Sequence, residues 1–167
     1  MICVITFASC GVGLDIQVHS DGTASVEQYY AKTTDKRSFE YYAESPNVVE
    51  LKTSEASMPP NFAEMTLKVD PIDSLGLYLT DFRPGFLTFT KEQNQVIISL
   101  SGSEPFFWNT NQRVFMRIEF EHEIINVVSN DIKVKRDGEN AIKIYRTGRQ
   151  LKNKGVPTQI KVILEDQ

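Results

Sequence analysis

The sequence predicts an α+β domain made mainly of antiparallel β-sheet, with about eight strands and one or two short helices. Three observations carry that prediction. Apolar residues alternate with polar ones at period two in several separate stretches, the pattern of strands with one buried face. Turn-forming residues separate those stretches, Asp21-Gly22 being the sharpest case. Hydrophobic residues make up 41% of the 167 positions, enough for one core and for one domain of ordinary size.

The elements follow in order. Leu14, Ile16 and Val18 alternate with Asp15, Gln17 and His19, and Ala24, Val26 and Gln28 run on into Tyr29-Tyr30. Asp21-Gly22 lies between them, and glycine accepts positive φ at little cost, so these two runs form an opening hairpin. Residues 31–64 give a poor signal; residues 38–44 suit a helix or a short strand, and Pro46 closes them, because the residue before proline avoids the helical region. Met65, Leu67 and Val69 make the next strand. Asp70-Pro71 then looks like an N-cap and first helical position for a short helix through Ile72, Leu75 and Tyr78 or Leu79. Phe86, Leu87 and Phe89 pair with residues 96–100 across a polar loop at 91–95. Phe106-Phe107-Trp108 is an apolar anchor in a loop. Residues 114–120 alternate strongly, shorter strands are expected at 123–128 and 131–135, and strands at 141–145 and 160–164 close the chain. No internal repeat or low-complexity segment appears.

Composition excludes several classes. No run of about 18 apolar residues is present to form a spanning helix. Cys3 and Cys10 cannot build a disulfide scaffold, and two histidines leave little for a zinc site. The net charge of −4 conceals an asymmetry: residues 1–130 hold nine Lys/Arg against seventeen Asp/Glu, whereas residues 131–167 hold nine against five. Such a basic segment suits phosphate, nucleic acid or an anionic membrane, or simply solvated strand faces. Tyr145 is its only aromatic residue, and single-stranded nucleic acid usually stacks on several, so no nucleic-acid partner is expected.

No catalytic signature emerges, and the chain is expected not to be an enzyme. Only His19 and His122 offer an imidazole base, and neither a nucleophile elbow nor a zinc-protease helix is present. His19 is expected on an exposed strand face. His122, between Glu121 and Glu123, is expected not to converge with them, since neighbours on a strand point to opposite faces. Asp15, Asp21, Asp70, Asp73, Asp81, Glu104, Glu119 and Glu121 are carboxylates whose spacing selects no pair for acid–base work. Asp21 is better read as a turn residue. No metal and no cofactor is expected.

The N-terminus is the informative segment. Val4-Ile5-Thr6-Phe7 leads into Ala8-Ser9-Cys10-Gly11, which resembles a bacterial lipobox, with residues 1–10 as a truncated lipoprotein signal ending at Cys10 and 11–167 as one β-rich domain. None of the nine residues before Cys10 is basic, and Phe7 stands where an aliphatic residue is usual. A competing reading makes residues 2–8 a buried strand with Cys3 and Cys10 as small apolar core residues. Cys10, a short spacer, Leu14-Asp15-Ile16-Gln17-Val18 and Asp21-Gly22-Thr23-Ala24 resemble the opening of LppM-type bacterial lipoproteins. The resemblance rests on about 20 residues. It implies lipidation of Cys10, a bacterial cell-envelope location facing the periplasm or exterior, and a lipid or glycolipid ligand.

The reading is therefore a lipid-anchored cell-envelope domain with a non-catalytic binding role. Its partners would be the membrane, through an anchor on Cys10, and a lipid or envelope protein. Phe86, Phe89, Phe106, Phe107 and Trp108 are the expected apolar ligand contacts, lining a cavity under a curved sheet. The alternative is a soluble structural or assembly module of a cytosolic or viral complex, cytoplasmic if the N-terminus is not a signal.

Overall fold

The computed structural model describes residues 11–31, 39–55, 62–79, 87–100, 113–130, 134–147 and 158–165. The α+β, mainly β class holds. A seven-stranded sheet comprises β1 (Gly11–Val18), β2 (Ala24–Ala31), β3 (Val48–Glu55), β4 (Phe62–Val69), β7 (Arg113–Phe120), β9 (Val134–Arg136) and β10 (Ala141–Thr147). A four-stranded sheet comprises β5 (Leu87–Glu92), β6 (Gln95–Leu100), β8 (Ile124–Ser129) and β11 (Thr158–Leu164). The strand orders are β3-β4-β2-β1-β7-β10-β9 and β5-β6-β11-β8. The described strands number eleven rather than about eight. Every pairing is antiparallel except β1 with β7, which run parallel from Gly11 opposite Arg113 to Val18 opposite Phe120.

The core follows from alternation and register. Ile16 lies opposite Val26 on one side and Ile118 on the other, and Ile118 lies opposite Ile142. In the smaller sheet Ile98 lies between Phe89 and Ile160, and Val96 lies opposite Val162. All are buried, and one continuous apolar cluster joins both sheets. Gln28 is the polar exception in this layer; its amide, 2% exposed, donates to the Tyr78 carbonyl at 2.9 Å.

Local corrections have identifiable causes. The ambiguous segment near residue 40 is a helix, α1 (Phe39–Ala43). After β4 the chain forms a 3-10 helix, Ile72–Leu77, whose cap position is Pro71 and not Asp70. The Asp70 amide instead donates to the Asn47 carbonyl at 2.9 Å, and the Ile72 amide to the Gly22 carbonyl at 2.9 Å. Those tethers hold residue 70 with the sheet, where it cannot cap. Gly76 of this helix fits against β5: a Cβ there would lie 1.8 Å from the Leu87 carbonyl oxygen. The loop expected at 91–95 shrinks to a two-residue turn, Gln93-Asn94, entered with Gln93 at φ 53°.

Candidate functional site

The opening hairpin brings its turn to one end of the sandwich, where three other connections gather. Asp21 takes the turn role: its Oδ1 accepts from the Thr23 amide at 2.9 Å and from the Thr23 hydroxyl at 2.6 Å. These bonds draw the Asp21 carboxyl down to about 2, with Thr23's hydroxyl the largest influence. Beside the turn lies a cleft of about 420 Å³, lined by Val18, His19 and Ser20, by Lys91 of β5 with Gln93 and Asn94 of the turn that follows it, by Glu121 and His122 after β7, and by Leu164 and Glu165 at the end of β11. The cleft thus spans both sheets, and its lining includes both histidines of the chain.

Ser20 is the clamp of the site. Its amide donates to Glu121 Oε2 at 2.7 Å, and its carbonyl accepts from Lys91 Nζ at 2.6 Å. One residue of the large sheet's turn is therefore tied to the end of β7 and to the small sheet. His19 sits alongside, with Nδ1 3.0 Å from Glu121 Oε1 and Nε2 2.9 Å from the Ser25 hydroxyl. A carboxylate only accepts, so Nδ1 carries the proton; the neutral ring then accepts from Ser25 through Nε2, and the imidazolium would donate to both. Hydrogen bonds from Ser20, hydroxyl first and amide second, and then from His19 hold the Glu121 carboxyl down at about 2.

Ser25, His19 and Glu121 have the connectivity of a nucleophile, a base and an orienting acid. The serine's backbone, however, lies in β2, flanked by β1 at Gln17 and by β4 at Lys68. In a strand paired on both sides the amides are committed to the ladders, so the backbone of β2 around Ser25 offers no oxyanion donor. What the arrangement does is brace the cleft wall with three polar side chains drawn from two ends of the sequence.

His19 is thus not the exposed strand histidine expected; its side chain is 20% exposed and bonded at both nitrogens. His122 is corrected too. Residues 121–123 form a connection between β7 and β8, so the strand rule of opposite faces does not apply, and His122 joins Glu121 in lining the cleft. Among the described residues no three His, Cys, Asp or Glu side chains are arranged to hold a metal ion. Of the expected ligand contacts, Phe89 is 1% exposed within the core cluster. Its inward place opposite Ile98 commits it to packing and not to the cleft. Phe86, Phe106, Phe107 and Trp108, like Cys10, lie outside the described residues.

A second polar assembly covers the outer face of the large sheet. Arg117 bonds Glu119 at 2.6 Å and Asp137 at 2.9 Å and approaches Asp15 at 3.3 Å, while Lys143 reaches Asp137 at 2.6 Å. Its guanidinium is thereby held more firmly protonated, through Glu119 and then Asp137. Glu27 and Glu64 share a hydrogen bond that pushes Glu27 up and Glu64 down. The carboxylates whose sequence spacing selected no pair are in fact grouped by register across strands.

The fold and site define a class: a two-sheet, mainly β domain with a polar cleft between the sheets at one end. Among solved structures the chain is similar over its whole length to the NMR structure of the folded domain of LppM from Mycobacterium tuberculosis. The TM-score is 0.55 at 11% identity, with 99% of this chain and 97% of that chain covered. The likeness is one of fold. No protein-family model matches the sequence, and no curated protein matches it.

Proposed function

We propose that the chain is a cell-envelope domain of the LppM type, held at a membrane by a lipid on Cys10 and having a non-catalytic binding role. The observation that carries the reading is the shared fold with LppM over 99% of the chain, which meets a lipobox-like sequence whose Cys10 immediately precedes β1. Acyl chains contribute about 0.8 kcal/mol per buried methylene, so several of them hold a domain stably on a bilayer. The described residues contain no helix long and apolar enough to cross a membrane, and under this reading the lipid performs the anchoring.

The cleft is the binding site of this reading. Its histidines, amides, Lys91 and carboxylates over Val18 and Leu164 suit the polar headgroup of a lipid or glycolipid better than an acyl chain, and its volume suits a small polar group. The ladder-bound setting of Ser25 supports binding without turnover. Intact-mass analysis with detergent partitioning of the protein from its native host tests the anchor. Loss of residues 1–9 with acyl mass on Cys10 is expected. An unmodified chain from Met1 in the aqueous phase would overturn it and favour the soluble assembly module. Titration with glycolipid micelles followed by NMR tests the cleft, with shifts at His19 and His122 expected.

A further inference from the structure

We infer that Ser25 is a nucleophile that accepts one small uncharged acyl group from an activated ester, with His19 as its general base. The modification is made once per chain. It goes beyond the proposed binding role without adding turnover, and it does not depend on an anchor at Cys10.

Ser25 faces outward from the large sheet, because its neighbours Ala24 and Val26 are buried and successive strand residues alternate. Two things meet at its half-buried hydroxyl. One is His19, whose Nε2 lies 2.9 Å from Ser25 Oγ while Nδ1 lies 3.0 Å from Glu121 Oε1. Both distances are within the reach that proton transfer needs. Because Glu121 only accepts, the ring proton sits on Nδ1, and Nε2 is the atom that takes the hydroxyl proton. The other is a hollow of about 160 Å³, lined by Ser25 with Asp15, Gln17, Val26, Glu27 and Thr66. It is well under the roughly 300 Å³ at which pockets for drug-sized ligands begin, so it suits a short acyl group. No Lys, Arg or His lines it, so an acyl group carrying its own negative charge finds no cation there.

The backbone of β2 supplies no oxyanion donor, but a side chain is placed to do so. Gln17 lies directly opposite Ser25 on β1, is exposed, and lines the same hollow. Residues so paired hold their Cβ atoms about 5 Å apart, and a side-chain amide can stabilise an oxyanion. The transfer then balances within these residues. Ser25 Oγ bonds to the acyl carbon and passes its proton to His19 Nε2, while Gln17 donates to the charged oxygen. The bond to the leaving oxygen breaks, and the imidazolium gives its proton to the departing group. What remains on Ser25 is an ordinary alkyl ester, a far worse leaving group than that of the activated donor. With one exposed amide in place of a backbone hole, attack by water on that ester is slow and the acyl group stays.

The full chain is incubated with p-nitrophenyl acetate, and nitrophenolate release is followed together with intact mass. A burst of one nitrophenolate per chain is expected, with one acetyl group mapped by peptide fragmentation to Ser25. Ser25→Ala should abolish the burst, His19→Gln should slow it about 100-fold, and Gln17→Leu roughly tenfold. Thermal unfolding is checked for each variant, and the mapping on the parent chain decides the matter even where a variant does not fold. Absence of a burst, acetyl groups only on lysines, or a burst that survives Ser25→Ala would overturn the assignment. Steady release with no accumulated ester would overturn the single transfer in favour of turnover. An equal rate with the mono-p-nitrophenyl ester of glutaric acid would overturn the restriction to uncharged groups.

Discussion

Arg117 and Ile118 are consecutive residues of β7, yet they belong to different chemistries. Ile118 is fully buried between Ile16 and Ile142, where removal from water and close packing supply the stabilisation. Arg117, on the other face, keeps 27% of its side chain exposed and gathers three carboxylates. Charges in partial contact with water stabilise little for each bond made. The difference teaches that the inner face determines whether the two sheets hold together, while the outer face is free to carry a pattern of charge.

Substitutions on the two faces should separate by size. Ile118→Ala should cost about 2–5 kcal/mol, because the deleted atoms leave a cavity between packed strands; urea unfolding should show a lower midpoint at unchanged slope. Gly76→Ala sharpens the inner side of the comparison. Its added carbon would meet backbone at Leu87 and not a yielding side chain, so about 1–3 kcal/mol should be lost with no cavity formed. Arg117→Ala should cost only about 1 kcal/mol. That loss should shrink in high salt, whereas the loss from Ile118→Ala should not. Equal costs at residues 117 and 118 would break the comparison.

Legibility in the sequence divides along the same line. The inner face could be read, since Leu14, Ile16 and Val18, or Val114, Met116 and Ile118, state their alternation locally. Asp21-Gly22 stated its turn, and Gly22 adopts φ 88° there. β3 could not be read: it is an edge strand holding Glu50, Lys52, Thr53 and Ser54, all exposed, and a strand paired on one side needs no apolar period. The parallel pairing of β1 with β7 joins residues about a hundred positions apart, and no local pattern specifies it. The cleft depends on that pairing. Val18 opposite Phe120 is what carries His19 to Glu121, so a histidine that looked like surface in the sequence is half-enclosed in the fold. The one local hint was that the chain has just two histidines and that each directly follows or precedes a turn.

The smallest effect expected is also the one that reads the cleft most directly. Glu121 is drawn from 4.5 to about 2, by Ser20 and then His19. The folded state therefore keeps this carboxylate ionised more readily than the unfolded chain does. The stabilisation is complete above about pH 4.5 and is lost as pH falls toward 2. Asp21 follows the same sign, starting from 3.8. Glu27 and Glu64 are shifted in opposite directions by one shared hydrogen bond, Glu27 up and Glu64 down. The Glu121 side chain is 48% exposed, so screening leaves about 0.5 kcal/mol. Glu121→Gln should remove that amount at neutral pH and make the acid limb of stability between pH 4.5 and 2 shallower, leaving the part due to Asp21 and Asp137, while Glu119→Gln, on the outer face, should leave the Glu121 part in place. Histidine NMR in the same variant should show the His19 signals shifting, because its Nδ1 bonds that carboxylate directly. If the acid limb were unchanged in Glu121→Gln, it would come from the other carboxylates that the fold holds ionised, Asp21 in the turn and Asp137 on the outer face, and not from the contact between β1 and β7.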